Sequence, residues 1–210
     1  MQERTDVQYW NEYYRQRLAE DHPSPFALFV RGNLSEGETL IDLGCGNGRD
    51  ALYFCRSGLG VTAIDQSETG IAMIQDAGQE NLECICGDIT KTSSHCDGLY
   101  NNAYSRFVIH ALTEEQQHDF IKEVHKVLGS GGRFWIEVRG VQDTLYGKGE
   151  PSGRNAFVHD GHYRRFIVLD ELTGELEAAG FEIEEAAEMT GFAPYRGEDP
   201  IVIRITARKK

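Results

Sequence analysis

Three aspartates punctuate the first half of the chain at similar intervals: Asp42 in "LIDLGCGNG", Asp65 in "VTAIDQS" and Asp88 in "ICGDIT". Each stands at or near the end of a short apolar run. A carboxylate beyond a strand end can grip both hydroxyls of a ribose or face a cationic group. Gly44, Gly46 and Gly48 alternate between the first two acids, and glycines let a backbone turn tightly and come close to a ligand. The spacing is Gly-x-Gly-x-Gly, not the Gly-x-Gly-x-x-Gly of a pyrophosphate loop, and Asp42 sits two residues ahead of the first glycine. That arrangement suits a cationic ligand group better than a pyrophosphate, which a bare helix N-terminus would cradle.

The second half carries the opposite chemistry. "NAFVHDGHYRRF", Asn155 to Phe166, crowds His159, His162, Arg164 and Arg165 around one acid, Asp160. Arg154 precedes it, Glu137 and Arg139 stand in "IEVRG", and Tyr104, Ser105, Arg106 and His110 stand in "AYSRFVIHAL". A guanidinium is permanently charged and binds carboxylate or phosphate through two parallel bonds. These arginines therefore point to a small anionic substrate, with Arg106, Arg139, Arg154, Arg164 and Arg165 as its candidate contacts. A histidine titrates near neutrality, so His110 or His162 is a candidate general base. Tyr146 is a third candidate for removing a proton.

The elements that must position these groups follow from hydrophobic periodicity. An aromatic helix over "TDVQYWNEYYRQRLAE", capped by Thr5 or Asp6, presents Tyr9, Trp10, Tyr13 and Tyr14. Short apolar strands then alternate with helices: "TLIDLG", "RDALYFCRSG", "GVTAID", "SETGIAMIQDAG", "LECICGD", a weaker strand "GLYNNAYS", a helix from Thr113 to Gly129, and "GRFWIEVRG". Thr113 and Gln116 have the spacing of a capping box. The alternation lapses from residue 140 to 165, an insertion or lid, and resumes with a helix and two strands lacking a helix between them. Such a pattern predicts a mostly parallel sheet covered on both faces, with a C-terminal antiparallel hairpin at one edge.

The glycine loop followed by Asp65 and Asp88 resembles the class I S-adenosylmethionine-dependent methyltransferases, and "DLGCGNGRDALYF" resembles their tellurite-resistance and thiopurine-type small-molecule branch. The resemblance implies a Rossmann-like three-layer α/β sandwich with a seven-stranded, mostly parallel sheet. It covers nearly the whole chain, one domain over 1–210 with an N-terminal helical cap over 1–34. It implies S-adenosyl-L-methionine as cofactor: the backbone at Gly44 and Gly46 and the carboxylate of Asp42 serve its amino-acid part, Asp65 the ribose, Gln66 or Ser67 the edge of the adenine, Asp88 and the Ile89 N–H the adenine itself. Tyr9 and Trp10 are expected to close over the cofactor, and Tyr104 to lie near its methyl group. Many nitrogen-methylating relatives carry Asn or Asp, two prolines and an aromatic after the fourth strand. "NNAYSRFVIHAL" replaces that here and speaks against bases of nucleic acid or protein amides as acceptors.

The expected reaction is O- or N-methylation of a small polar metabolite bearing phosphate, phosphonate or carboxylate. Methylation of a metalloid or thiol stays open, as does a non-catalytic cofactor-binding protein; a nicotinamide oxidoreductase fits the glycine spacing poorly. With 210 residues, 40% of them hydrophobic, and a net charge of -13, the chain lacks the basic face of a nucleic-acid binder. No apolar run is long enough to span a bilayer. Five unframed cysteines suit a reducing cytoplasm, and neither a metal site nor any partner beyond a second copy of the chain is expected: a monomer or homodimer.

Overall fold

The computed structural model describes residues 6–16, 22–159 and 161–210. Thr5, the tail of the first helix beyond residue 16 and Asp160 lie outside them. Ten strands and six α-helices follow one another among the described residues. They are α1 (Asp6–Arg15), α2 (Pro25–Arg31), β1 (Thr39–Leu43), α3 (Arg49–Arg56), β2 (Gly60–Asp65), α4 (Glu68–Gln75), β3 (Leu82–Cys86), β4 (Tyr100–Arg106) and α5 (Glu114–Val127). Then come β5 (Leu128–Arg139), β6 (Glu150–Pro151), β7 (Ala156–His159), β8 (His162–Arg165), α6 (Leu169–Ala178), β9 (Phe181–Met189) and β10 (Val202–Lys209).

Seven strands form one sheet in the order β3-β2-β1-β4-β5-β10-β9. The pairs among β1 to β5 are parallel, and β10 runs antiparallel to both β5 and β9. The expected Rossmann-like three-layer sheet is therefore present. The last two strands pair as the expected antiparallel hairpin at one edge, with β10 against β5 and β9 outermost. Edge position explains its composition, because glutamates at 182, 184, 185 and 188 discourage further strand pairing.

Period-two alternation splits the core into two layers. Leu40, Val61, Ala63, Tyr104 and Trp135 face α2, α3 and α4 through Phe26, Val30, Phe54 and Ile74. Ile41, Ile64, Ala103, Phe134 and Ile136 face α5 and α6 through Phe120, Val124, Leu172 and Leu176. Helix α2 begins on a Ser24 cap followed by Pro25, a proline whose missing N–H costs nothing there. The Thr113–Gln116 capping box closes in both directions at the start of α5. Gly129 does not stop that helix as expected: α5 ends at Val127 and β5 starts at Leu128 with no loop between.

The strand order reverses between β1 and β4, and ligands of such sheets bind beyond the carboxyl ends at that crevice. Here the two strand ends touch. A Cβ on Gly44 would lie 2.3 Å from Val108 Cγ2, so only glycine fits. Within the insertion β6, β7 and β8 form a small antiparallel sheet of their own. No helix among the described residues is long and apolar enough to cross a membrane.

Candidate active site

Two differently charged surfaces meet at the switch point. On the β1–β3 side the glycine loop turns through left-handed backbone at Gly44, Gly46 and Gly48, with φ of 81°, 59° and 82°. Asp65 ties it down: one carboxylate oxygen accepts the Gly46 N–H at 2.9 Å and the other the Ser67 N–H at 2.8 Å. Ser67 in turn caps α4 by accepting the Gly70 N–H at 3.1 Å. A Cβ on Gly70 would stand 2.5 Å from the Gly46 carbonyl oxygen, so α4 packs backbone to backbone on the loop.

Three carboxylates crowd beneath that loop. Asp42 is 3% exposed, and burial, then Asp50 and Asp65, push its pKa well above the ordinary value. Burial also raises Asp65, against the two N–H bonds that favour its charged form. Asp50 opens α3 and accepts from the Ser24 N–H and hydroxyl at 2.8 and 2.7 Å and from the Tyr104 hydroxyl at 2.7 Å. Three buried carboxylates beneath a loop whose glycines stand where a side chain would intrude fit a cationic ligand group. Asp50 was missed because an acid in the first turn of a helix reads as ordinary dipole complementation.

Other expected cofactor contacts are placed as follows. Asp88 lies beyond β3, where its carboxylate accepts from the Thr90 N–H and hydroxyl at 2.9 and 2.7 Å and begins the 3-10 turn Ile89–Ser94. Its pKa falls although burial works the other way, because the Thr90 bonds and Lys91 favour the carboxylate. Gln66 is half-buried between Asp65 and Ser67. Tyr104 is a correction. It is fully buried, stacked on Phe26 at 5.0 Å and bonded to Asp50, so it braces α2 and α3 from beneath and does not line the crevice.

Helix α1 spans both surfaces. Asn11 accepts from the Ser67 hydroxyl at 2.7 Å and the Thr69 N–H at 3.2 Å. Tyr14 covers the glycine loop, where a Cβ on Gly46 would meet its hydroxyl at 2.4 Å. At the other end Tyr9 stacks on His162 of β8 at 4.6 Å, and Trp10 meets the same ring edge-on at 5.1 Å. The aromatic face thus clasps the glycine loop to the insertion.

The β4–β5 side is basic. Phe107, just past β4, holds φ of 56°, a left-handed conformation that a bulky side chain avoids at a cost of about 1–3 kcal/mol. The Arg106 guanidinium lies 4.3 Å and that of Arg139 5.2 Å from its ring centre. His110, in the turn Ile109–Ala111, is 5% exposed, and its Nδ1 has no hydrogen-bond partner among the described residues. Burial holds its pKa well below 6.5, with Arg164, Arg139, His162 and Arg106 adding to the depression. The buried Arg164 Nε also lacks a partner among the described residues. Burial and then Arg139 lower its pKa, while Tyr9, Asp143 and Tyr13 oppose that.

The remaining predicted contacts divide sharply. Arg139 pairs with the buried Asp143, whose other oxygen accepts the Leu145 N–H. Arg106 donates to Glu137 at 2.8 Å, and Arg204 of β10 to the other oxygen at 2.7 Å, so Glu137 is a structural bridge between two arginines. Arg165 points away from the crevice, fixing β8 to the Leu112 carbonyl at 3.0 Å and to Gln117. Arg154 is a surface residue paired with Glu171 and Glu114. Tyr146 is exposed and bonds Asn155 at 3.0 Å within the insertion. His162 is spent as the stacking platform for α1, its pKa pushed down to about 4 by burial and Arg164. Of the predicted bases, His110 combines burial with a nitrogen that has no hydrogen-bond partner among the described residues. Phe107 and Asp143 escaped the sequence reading; the signal for Asp143 was an acid four residues after Arg139, and a positive φ leaves none.

Residues 41–136 match the family model described as a methyltransferase domain. That segment is similar to such domains. It holds β1 to β5 and both halves of the switch point. A probable S-adenosyl-L-methionine-dependent methyltransferase, TehB, of Haemophilus influenzae is 30% identical over 44% of this chain and 33% of its own length. The chain spans less than half the length of the curated relatives it matches. The fold of the domain extends through almost the whole chain in a Burkholderia thailandensis 1,6-didemethyltoxoflavin-N1-methyltransferase, solved with that compound and S-adenosylhomocysteine bound. It is 22% identical, with a TM-score of 0.67 over 98% of this chain and 81% of that one. A [4+2]-cyclase, SpnF, at 19% identity and a TM-score of 0.71 over 97% and 92%, has the same architecture. Fold alone therefore leaves the chemistry to the site.

Proposed function

We propose that this chain transfers a methyl group from S-adenosylmethionine to an oxygen or nitrogen of a small anionic acceptor. The observation that carries the reading is the opposition of charge at the switch point: buried Asp42, Asp50 and Asp65 beneath a glycine cradle on one side, Arg139, Arg164 and an open His110 nitrogen on the other. S-adenosylmethionine supplies a methyl group already activated on a sulfonium, a cation that suits the acidic side.

The protein's own work is then to orient, to exclude water and to accept a proton. Gly44 and Gly46 present backbone to the amino-acid part, with Asp42 behind them and Asp65 at the ribose. Asp88 and Ile89 stand at the adenine end. Tyr9, Trp10 and Tyr14 of α1 cover the site and the β7–β8 hairpin flanks it. Arg164, helped by Arg139, holds the acceptor's anion. His110 takes the proton if the acceptor atom carries one.

The test is calorimetric titration with S-adenosylhomocysteine, followed by methyl transfer from radiolabelled cofactor to a panel of small carboxylates, phosphates and their neutral amides. Micromolar binding and labelled product with anionic members are expected. Binding without transfer to any member would leave a cofactor-binding protein, and preference for the neutral members would remove the anionic acceptor.

A further inference from the structure

Of the five rim arginines predicted as acceptor contacts, four are engaged: Arg106 by Glu137, Arg139 by Asp143, Arg154 by Glu171 and Arg165 by Gln117. Arg164 has neither an ion pair nor a bond to its Nε among the described residues. Its strand, β8, packs on the turn that carries His110. Two buried polar atoms without a partner among the described residues, a guanidinium nitrogen and an imidazole nitrogen, thus stand on elements that pack together. The guanidinium is the strongest of the charges acting on that imidazole, ahead of Arg139.

This arrangement looks self-defeating. A base beside an uncompensated cation resists taking a proton, because the imidazolium would be a further positive charge in a poorly solvated pocket. The conflict disappears once an anion sits on Arg164. Resting on the methyltransferase reading above, we infer that the acceptor's own negative group, seated on Arg164, is what enables His110 to act as the base. The acceptor would then be a single molecule carrying both a monoanionic group and a neutral O–H or N–H that accepts the methyl.

The step balances. The acceptor's O–H or N–H bond breaks, its electron pair stays on the atom that forms the new bond to carbon, and the proton ends on Nδ1 of His110. The sulfonium charge disappears as the imidazolium charge appears, and the anion on Arg164 is unchanged. A dianionic group would overshoot: of Arg106, Arg139 and Arg164, which act on His110, Arg106 and Arg139 already have carboxylate partners, and among the described residues Arg164 has none. The groups facing His110 and Arg164 are Arg106 from β4, Arg139 and Asp143 at and after the end of β5, His162 from β8, and Tyr9 and Tyr13 from α1. Among these Arg164 is the one whose charge the acceptor can neutralise.

The experiment follows the His110 imidazole nitrogens by NMR in the full chain with S-adenosylhomocysteine, its signal assigned with His110→Asn. Titrations are run with acetate and with neutral acetamide at fixed ionic strength. Acetate should raise the His110 midpoint by about one pH unit or more and acetamide should leave it unmoved. Arg164→Gln should raise the midpoint without acetate and abolish the response. Arg164→Lys, the milder change, should keep a reduced response. Equal effects of acetate and acetamide, or an unchanged acetate response in either variant, would overturn the inference. Failure to bind S-adenosylhomocysteine is a separate result and would overturn the methyltransferase reading instead.

Discussion

The two sides of the switch point are built on opposite plans. The β1–β3 side is acidic and local: its loop, cap and acids fall within about two dozen residues, and backbone bonds fix them. The β4–β5 side is basic and assembled from afar: β4, β5, β8 and the turn Ile109–Ala111 each contribute one or two side chains. The first is held by bonds to its backbone, so it tolerates little change. The second is made of side chains whose partners differ, so its residues can be altered singly. A fold that keeps one cofactor and changes its acceptors gains from this division.

Breaking the rigid side should have the largest effect. Gly46→Val puts a side chain into Tyr14 at a backbone angle suited to glycine. It should abolish measurable S-adenosylhomocysteine binding by calorimetry while the far-ultraviolet circular dichroism persists. Asp65→Ala comes next. It strips two buried N–H groups of their acceptor and should cost about 1.5–3 kcal/mol of cofactor affinity, tenfold or more. The same acids predict a pH dependence. Burial raises Asp42 and Asp65 above 3.8, so the ligand-free fold gains stability from them below that value and loses it as pH rises through their folded pKa. A cationic ligand favours the ionised forms, so affinity should rise with pH over that window and then level off. A flat calorimetric profile would contradict the acid cradle.

On the basic side, Arg164→Ala should raise the acceptor's KM or lower turnover by about tenfold, and Arg164→Lys should recover part of it. Steady-state kinetics on the acceptor found by screening provides the check. The clasp between the sides should matter less. Tyr9→Leu removes the stack on His162, and thermal melting should show a loss of about 0.5–1.5 kcal/mol. Arg154→Ala should do nothing to turnover or cofactor affinity, because its guanidinium is at the surface with Glu171. Activity lost with Arg154 would sharpen the map by moving the anion outward.

The contrast also accounts for what the sequence could reveal. Asp65, Ser67 and the glycine loop were legible because a strand end, a turn and a helix cap are written in consecutive residues. The Thr113–Gln116 capping box was legible for the same reason. Alternation along β8 does require Arg164 and Arg165 to face opposite ways, but nothing local says which way. Docking of β8 on the turn bearing His110 decides it, and Arg165 turns to Leu112 and Gln117. Tyr104 misled because a tyrosine near the carboxyl end of β4 reads as a crevice residue, whereas its partner Asp50 lies 54 positions away. The insertion read as loop because its strands are only two to four residues long and rich in glycine and charge.

The central claim is that the acidic side holds the cofactor and the basic side the acceptor, and one calorimetric series tests it most directly. S-adenosylhomocysteine is titrated into the wild type, Asp65→Asn and Arg164→Gln at one pH and ionic strength. The account predicts a loss of tenfold or more for Asp65→Asn, whose amide cannot replace both carboxylate oxygens as acceptors. Arg164→Gln should stay within about twofold of wild type, as expected of a residue on the acceptor side. Equal losses in the two variants, or a larger loss for Arg164→Gln, would contradict the division of the site.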